Sequence, residues 1–208
     1  MSPPPLAIPL HDRIGDALAQ LVSVLAIPVL LLAIVALLAS ALECGRFATE
    51  SWQRRARMRR QPLRQLAARA VAAPGEAPQL ALVAPTAFAA AAVRQLAAAV
   101  SARRPESAEH ALADFELAAQ KRLDRTRMLV RAGPAIGLMG TLIPLAPGLQ
   151  ALSDGDISQL ASDLRIAFAA TVIGLLVGTV AFALTLTRTR MYTEDLTALE
   201  RAAAAVTG

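Results

Sequence analysis

Two threonines, Thr141 and Thr171, place hydroxyl groups deep within uncharged, apolar stretches of the sequence. A single buried threonine can satisfy its hydroxyl by donating a hydrogen bond to its own helix backbone. Two threonines on helix faces that meet could together hydrate a narrow path or bond the carboxyl group of another protein. We therefore single out Thr141 and Thr171 as the candidate functional residues of these stretches.

Enzyme chemistry has little support in this sequence. Cys44 is the single cysteine, and His11 and His110 lie far apart, so neither a disulfide nor a thiol-based metal site is predicted. No nucleophile is accompanied by a recognisable base, and the glycines do not form a phosphate-binding loop. We predict that the protein is not an enzyme and uses no catalytic residue, metal or cofactor.

Small residues share a helix face with each threonine, at spacings of three, four and seven positions. They are Gly133, Gly137, Gly140, Pro144 and Gly148 around Thr141, and Ala167, Ala170, Gly174, Gly178, Ala181 and Thr185 around Thr171. Small residues let helix backbones approach closely in lipid. The predicted helix-packing residues are Gly133, Pro134, Gly137, Gly140, Gly174 and Gly178. Packing alone would also explain this pattern, so the small faces do not by themselves establish a function.

Three uncharged stretches, at 21–42, 132–153 and 166–187, are long enough to cross a membrane, which takes about 20 apolar residues. Charged residues make up only 18% of the chain, against about 25% in soluble domains. The predicted fold class is all-α, a polytopic membrane protein with three transmembrane helices whose second and third helices extend into a cytoplasmic helical region. At 21–42 a cleaved signal peptide is the alternative, but its apolar region would be about 7–15 residues long, so a retained helix is favoured.

The distribution of charge predicts the topology. Most of the 21 basic residues lie between Arg46 and Arg131, whereas the charged residues of the segment 154–164 are all acidic. Because basic residues concentrate on the cytoplasmic side, we predict an inner-membrane protein with a periplasmic N-terminus and a cytoplasmic C-terminus. The predicted order is an extracytoplasmic segment 1–16, a first span 17–43, a cytoplasmic helical region 44–131, a second span 132–153, a periplasmic hairpin 154–164, a third span 165–188 and a cytoplasmic helix 189–208.

The predicted cytoplasmic region is rich in alanine and interrupted by prolines. Residues 73–78 have the composition of a turn. The apolar stretch 80–93 could be a fourth span, but it is short and contains Pro85, so a buried or interfacial helix is favoured. Ser107 is the predicted N-cap of the helix that leads into the second span.

The residues around the two threonines resemble a known pair of signatures. The sequence GPAIGLMGTL at 133–142 resembles A-P-x-x-G-L-x-G-T-V, and AFAATVIGLL at 167–176 resembles A-L-x-x-T-A-x-G-L. Both signatures are those of the MotA/TolQ/ExbB proton-channel family, and the resemblance covers about residues 128–190. On these residues the chain resembles the ExbB and TolQ subunits of that family.

The resemblance implies a partner and an assembly. Such subunits form pentamers in the lipid bilayer, around a lumen that holds the helices of a single-span protein of the ExbD, TolR or MotB type. That partner carries the membrane Asp that takes the proton. Thr141 and Thr171 would then line the lumen near this Asp, and Pro134 would lie at the cytoplasmic end of the second span. Proton flow through the complex would deliver work to a further protein.

The sequence departs from the family pattern in ways that limit its chemistry. Many ExbB and TolQ members carry a Glu five residues before the third-span threonine, where this chain has Ile166. The three uncharged stretches hold no carboxylate, so a proton relay would depend on the partner. Pro144 and Pro147 predict a widened or broken outer end of the second span.

Two other functions remain open on the sequence. The first is a structural membrane scaffold that holds a partner without conducting, which the missing Glu at Ile166 allows. The second is binding of anionic lipid or nucleic acid by the basic stretch 46–69. No aromatic stacking platform accompanies those arginines, so no nucleic-acid partner is expected. A flagellar stator is disfavoured, because the cytoplasmic region is short for a MotA-type torque domain.

Overall fold

The computed structural model describes residues 10–58 and 62–207, and the regular structure within them is entirely helical. Among these residues, three helices are long and apolar enough to cross a membrane, namely Val24–Ala56, Pro105–Ser153 and Ile157–Ala205. The predicted all-α class with three transmembrane helices is therefore confirmed. Residues 1–9 of the predicted segment 1–16, and residues 59–61 of the basic stretch, lie outside the described residues.

The helices of the described residues vary widely in length. They are α1 (Leu10–Met58), α2 (Leu63–Ala72), a 3₁₀ turn (Pro74–Glu76), α3 (Ala77–Val83), α4 (Ala87–Ala102), α5 (Pro105–Ser153) and α6 (Ile157–Thr207). Helices α5 and α6 extend well beyond the uncharged stretches, as predicted. Helix α1 does so too, since the predicted first span ended at 43. The residues from 44 to 58 contain no proline and several good helix formers, which explains the continuation.

The chain divides into two compact units. The membrane unit consists of the described residues of Met1–Ser40 and Leu129–Val180, and the head unit consists of those of Ala41–Met128 and Ala181–Gly208. The membrane unit holds the two threonines and most of each uncharged stretch. The head unit holds most of the charged side chains and the short helices α2, α3 and α4.

The core of the head unit is built from alanine, leucine and a few aromatic side chains. On α2 the buried residues recur at helical spacing, so they form one face: Leu63, Leu66, Ala67 and Ala70. The Phe88 ring lies 5.0 Å from the Phe115 ring and 5.3 Å from the Tyr192 ring, measured between centroids. These rings connect α4, α5 and α6 within the unit.

The stretch 80–93 does not form the single helix that was favoured. Helix α3 ends at Val83 and α4 begins at Ala87, because Pro85 excludes its predecessor Ala84 from helical geometry. The Thr86 hydroxyl then accepts a hydrogen bond from the Ala89 N–H at 3.2 Å and starts α4. The expected burial of this stretch is correct for Ala84 and Ala89, which are almost completely buried.

Helix α5 differs from expectation near both ends. It begins at Pro105, so the predicted N-cap at Ser107 is wrong. Proline suits the first position of a helix, where its missing N–H leaves no hydrogen bond unmade. Of the widened or broken outer end predicted from Pro144 and Pro147, the break is wrong, since the helix continues to Ser153. Each proline removes one backbone hydrogen bond, and neighbouring helices compensate for such losses in membrane proteins.

The turn between α5 and α6 is confined to 154–156. Gly155 adopts a φ of 79°, a left-handed conformation that glycine tolerates best. The Asp156 carboxylate then accepts a hydrogen bond from the Gln159 N–H at 2.9 Å and caps the start of α6. Most of the predicted hairpin 154–164 is therefore the first turns of α6.

The N-cap of α4 generates a prediction about stability. Replacing Thr86 by Ala should lower the free energy of unfolding by about 1 kcal/mol, because the Ala89 N–H loses its acceptor. Thermal unfolding of the purified chain in detergent, followed by circular dichroism, measures the change. Thr86→Ser keeps the hydroxyl and should retain most of the stability. An equal loss in both variants would contradict the capping role.

Candidate functional site

Helices α5 and α6 approach each other through backbone atoms in the membrane unit. A Cβ atom on Gly174 would lie 2.6 Å from both the Gly133 carbonyl oxygen and the Gly137 Cα. A Cβ atom on Gly133 would lie 2.8 Å from the Gly174 oxygen and from the Gly178 nitrogen. These distances exclude a side chain, so the two backbones meet directly, as the small-residue pattern requires.

The contact continues on both sides of this point. A Cβ atom on Gly140 would lie 2.6 Å from the Ala170 Cβ. Toward the other end, a Cβ atom on Gly178 would lie 2.8 Å from the Pro134 Cδ. The structure thus brings the six predicted packing residues into one continuous contact between α5 and α6: Gly133, Pro134, Gly137, Gly140, Gly174 and Gly178.

Thr171 lies at this contact, Thr141 lies four residues beyond Gly137 on α5, and both threonines are half-buried. The Thr171 hydroxyl lies 3.5 Å from the Gly137 carbonyl oxygen on α5 and 3.4 Å from the Ala167 carbonyl oxygen on its own helix. Hydrogen bonds of this length are weak. The Thr141 hydroxyl donates a short bond of 2.7 Å to the Leu138 carbonyl oxygen.

The two hydroxyls therefore differ in what they can offer. Thr141 has committed its proton and keeps two lone pairs, so it can accept a hydrogen bond from water or a carboxylic acid. The Thr171 hydroxyl makes only weak hydrogen bonds, so it can both donate a hydrogen bond to another group and accept one. The structure places Thr171 at the contact with α5, and each threonine has a backbone acceptor within 3.5 Å.

A carboxylate also lies on this face, which sequence reasoning assigned to the hairpin. The Asp163 Oδ2 atom is buried and finds no hydrogen-bond partner among the described residues, while Oδ1 accepts a bond of 3.0 Å from the Gln159 side chain. A Cβ atom on Gly148 would lie 3.6 Å from Asp163 Oδ2. The available signal was spacing, because Gly148 follows Thr141 by seven residues and Asp163 precedes Thr171 by eight.

The other faces of α5 and α6 carry exposed, bulky apolar side chains. On α6 they include Phe168 and Val172, each 65% exposed, and Leu175. On α5 they include Leu138 and Leu142. This is the pattern of surfaces that meet lipid or neighbouring subunits rather than water.

The head unit contains a network of buried charges, which the sequence analysis missed. We call it the ionic network, and it joins Glu43, Glu50 and Arg54 of α1 to Arg188, Tyr192 and Asp195 of α6. Their spacings along each helix, seven and four on α1 and four and three on α6, put each set on one face. Opposite charges at matching helical spacing on α1 and α6 could have predicted this network. The sequence analysis overlooked them because it interpreted 46–69 as a basic stretch.

The strongest pair of the ionic network is Arg54 with Asp195. The guanidinium donates two parallel hydrogen bonds to the carboxylate, at 2.7 Å and 2.6 Å, and a third to the Met191 carbonyl oxygen. Both side chains are almost completely buried. Removing one partner of such a pair leaves an uncompensated charge and typically destabilises a protein by about 3–5 kcal/mol.

Two further connections complete the ionic network. The Arg188 guanidinium donates to Glu43 at 2.7 Å, and the Tyr192 hydroxyl donates to Glu50 at 2.9 Å. Glu50 also accepts a bond of 3.1 Å from Arg122 on α5. The carboxylates are thereby neutralised within the head unit. Within the described residues, no group of three or more His, Cys, Asp or Glu side chains could hold a metal ion.

Comparison with known proteins gives one match. Residues 82–200 match the model of the MotA/TolQ/ExbB proton channel family, which covers more than half of the chain and both threonine-bearing segments. No curated protein and no solved structure was found to match the chain significantly. The family match confirms the resemblance of 133–142 and 167–176 to the signatures of that family.

The close contact of α5 and α6 generates a prediction about the stability of the chain. Gly174→Ala should lower the free energy of unfolding by about 1–3 kcal/mol, because its Cβ would overlap backbone atoms of Gly133 and Gly137. Thermal unfolding in detergent measures the effect. The matched control is Gly45→Ala, since nothing lies within 4 Å of a Cβ atom there. Equal stability of the two variants would contradict the backbone contact.

Proposed function

Because the chain belongs to the MotA/TolQ/ExbB proton channel family, we propose that it forms the wall of a proton path in an ion-motive-force-driven energy-transducing complex. The family is one of proton channels rather than enzymes, and the general role of a channel or stator-like subunit follows from membership. The observation that supports the specific role is the continuous contact of α5 and α6, which brings the Thr171 hydroxyl to the Gly137 carbonyl oxygen. Thr141 shares the small-residue face of α5 by its helical spacing from Gly137.

The proposed assembly is a homo-oligomer, a pentamer, around the transmembrane helices of a single-span partner of the ExbD, TolR or MotB type. The bulky faces of α5 and α6 support it, because surfaces so apolar need to be covered by lipid or by other subunits. The partner supplies a membrane carboxylate, since the stretches 132–153 and 166–187 contain none. The complex lies in the inner membrane with its C-terminus in the cytoplasm.

The threonines act in this proposal as hydrogen-bonding groups beside the partner's carboxylate. When the carboxylate is ionised, the Thr171 hydroxyl gives up its weak hydrogen bonds to the Gly137 and Ala167 carbonyl oxygens and donates to the carboxylate instead. When the carboxylate is protonated, the free lone pairs of Thr141 accept its proton in a hydrogen bond. The hydroxyls thus stabilise both protonation states, and neither needs to ionise.

Asp163 gives the chain a titratable group of its own on the same face. We propose that it receives protons from the side of the 154–156 turn and releases them to water on the path. Its Oδ2 atom is the available acceptor, because Oδ1 is already bonded to Gln159. Eight residues separate it from Thr171, which is about 12 Å along a helix. A water chain of a few molecules would span that distance.

Thr171 provides the test of the proposed function. Liposomes containing the chain and its partner should show proton flux in response to a membrane potential, followed with an internal pH dye. Thr171→Val should lower the flux about tenfold through loss of one hydrogen bond to the charged carboxylate. Thr171→Ser keeps the hydroxyl and should conduct normally.

The matched control for this experiment is Thr187→Val. Thr187 is exposed and donates to the Ala183 carbonyl oxygen of its own helix, so its loss should leave flux unchanged. Size-exclusion chromatography checks that each variant assembles with the partner. Full flux in an assembled Thr171→Val complex would contradict the role of Thr171. A wild-type complex without flux would instead favour a non-conducting membrane scaffold.

Asp163 is tested in the same assay. Asp163→Asn keeps the shape of the side chain but cannot bind and release a proton at neutral pH, so flux should fall at least about tenfold. Asp163→Glu should retain part of it. Asp154→Asn removes the same charge from an exposed position in the turn and serves as the control. An equal loss of proton flux in Asp163→Asn and Asp154→Asn would show that only the negative charge matters, and would contradict a specific role of Asp163 in proton transfer.

A further inference from the structure

A cavity of about 780 Å³ opens beside the ionic network in the head unit. Segments of α1, α5 and α6 form its walls, together with the residues between α3 and α4 and the first turn of α4. Nothing in the proposed proton path uses it. Its size would accommodate a small polar ligand or a lipid head group.

The walls of the cavity are strongly basic. Among the described residues, five arginines line it: Arg46, Arg94, Arg122, Arg125 and Arg188. Two carboxylates, Glu43 and Glu50, also line it. The cavity thus carries a surplus of three positive charges. Glu43 and Glu50 are already occupied by their bonds to Arg188, Arg46, Arg122 and Tyr192, so they do not neutralise the remaining arginines.

Arg188, one of the lining residues, has a hydrogen-bond donor without an acceptor among the described residues. Its side chain is almost completely buried, and one of its terminal nitrogens donates to Glu43. Its Nε atom is buried and finds no hydrogen-bond acceptor among the residues that the structure describes. The nearest carboxylate oxygen, on Glu50, lies 3.8 Å away, which is beyond hydrogen-bonding distance. A buried guanidinium N–H without an acceptor is unfavourable, and its incompletely compensated charge adds to the positive potential at the cavity wall.

The first turn of α4 adds a second source of positive potential. Thr86, Ala87 and Ala90 line the cavity, so the N-terminal end of this helix borders it. The N–H groups and the dipole at a helix N-terminus favour negative charge, and phosphate is the anion most often found there. Guanidinium groups in turn match phosphate oxygens with paired hydrogen bonds. Together these donors favour a phosphate over a single carboxylate.

We propose that this cavity binds a phosphate-bearing anion, and that the occupant is the head group of an anionic phospholipid. The choice of lipid rests on where the cavity residues lie in the chain. Glu43 directly follows the apolar stretch 21–42, and Arg188 directly follows the apolar stretch 166–187. Residues at such boundaries lie at the depth of lipid head groups, and basic pockets between membrane helices bind them. Leu82, 76% exposed on the cavity wall, offers an apolar contact to the acyl chains.

The bound phosphate has a structural role in this proposal. It offsets the surplus charge of the cavity, so it stabilises the head unit. This role is independent of proton conduction, because it concerns only residues of the head unit, whereas Thr141 and Thr171 belong to the membrane unit.

The experiment measures lipid binding to the purified full-length chain in a neutral detergent. The probes are phosphatidylglycerol, phosphatidylcholine and inorganic phosphate, and the readouts are bound lipid by native mass spectrometry and the midpoint of thermal unfolding. Phosphatidylglycerol should bind saturably and raise the midpoint, whereas phosphatidylcholine should do neither. An equal effect of inorganic phosphate would overturn the lipid assignment. No effect of either phosphate source would overturn the site.

Variants then locate the binding. Arg94→Gln with Arg125→Gln should weaken phosphatidylglycerol binding about 25-fold, at about fivefold for each charge removed. Both arginines are exposed, so the variant should fold, whereas Arg188 variants risk losing the ionic network. Arg55→Gln with Arg64→Gln removes two exposed charges outside the cavity and should leave affinity within about twofold. Equal weakening in both double variants would assign the binding to general surface charge and overturn the cavity site.

Discussion

The absence of side chains at Gly133, Gly137 and Gly174 is the constraint on which the membrane unit depends. A Cβ atom at any of them would lie within 3.2 Å of backbone atoms on the facing helix. The backbones can approach this closely only because glycine occupies both sides of the contact. The same contact places Thr171 beside Gly137 and Asp163 beside Gly148, and Thr141 shares the small-residue face of α5 by helical spacing. The proposed proton path therefore depends on residues that have no functional groups.

The head unit solves a different physical problem. Its long helices carry charges where they leave the apolar stretches, and it buries several of them. Burial of charge is unfavourable unless each group is paired and hydrogen-bonded. The bidentate bonds between Arg54 and Asp195, and the bond between Arg188 and Glu43, meet this requirement. The surplus of positive charge at the cavity is not neutralised by the carboxylates that line it.

The sequence was sufficient for the parts of this protein that depend on local pattern. Uncharged length predicted the three spans, and helical spacing predicted the small faces around Thr141 and Thr171. Contacts between distant residues could not be predicted in this way, because nothing local pairs Glu43 with Arg188. Local rules also erred where neighbouring structure outweighs them. Pro144 and Pro147 leave α5 unbroken, whereas Pro85 does separate α3 from α4.

The long sequence separation within the ionic network has a consequence for biosynthesis. Arg54 and Asp195 are 141 residues apart, and Glu43 and Arg188 are 145 apart. During translation, the charges in the last part of α1 therefore remain without their partners until the more than 140 residues that separate them have been synthesised. Until then they remain hydrated, and the head unit cannot close around them. Folding of this unit is thus completed only after α6 has been synthesised, and a truncated chain that lacks the end of α6 would keep these charges exposed.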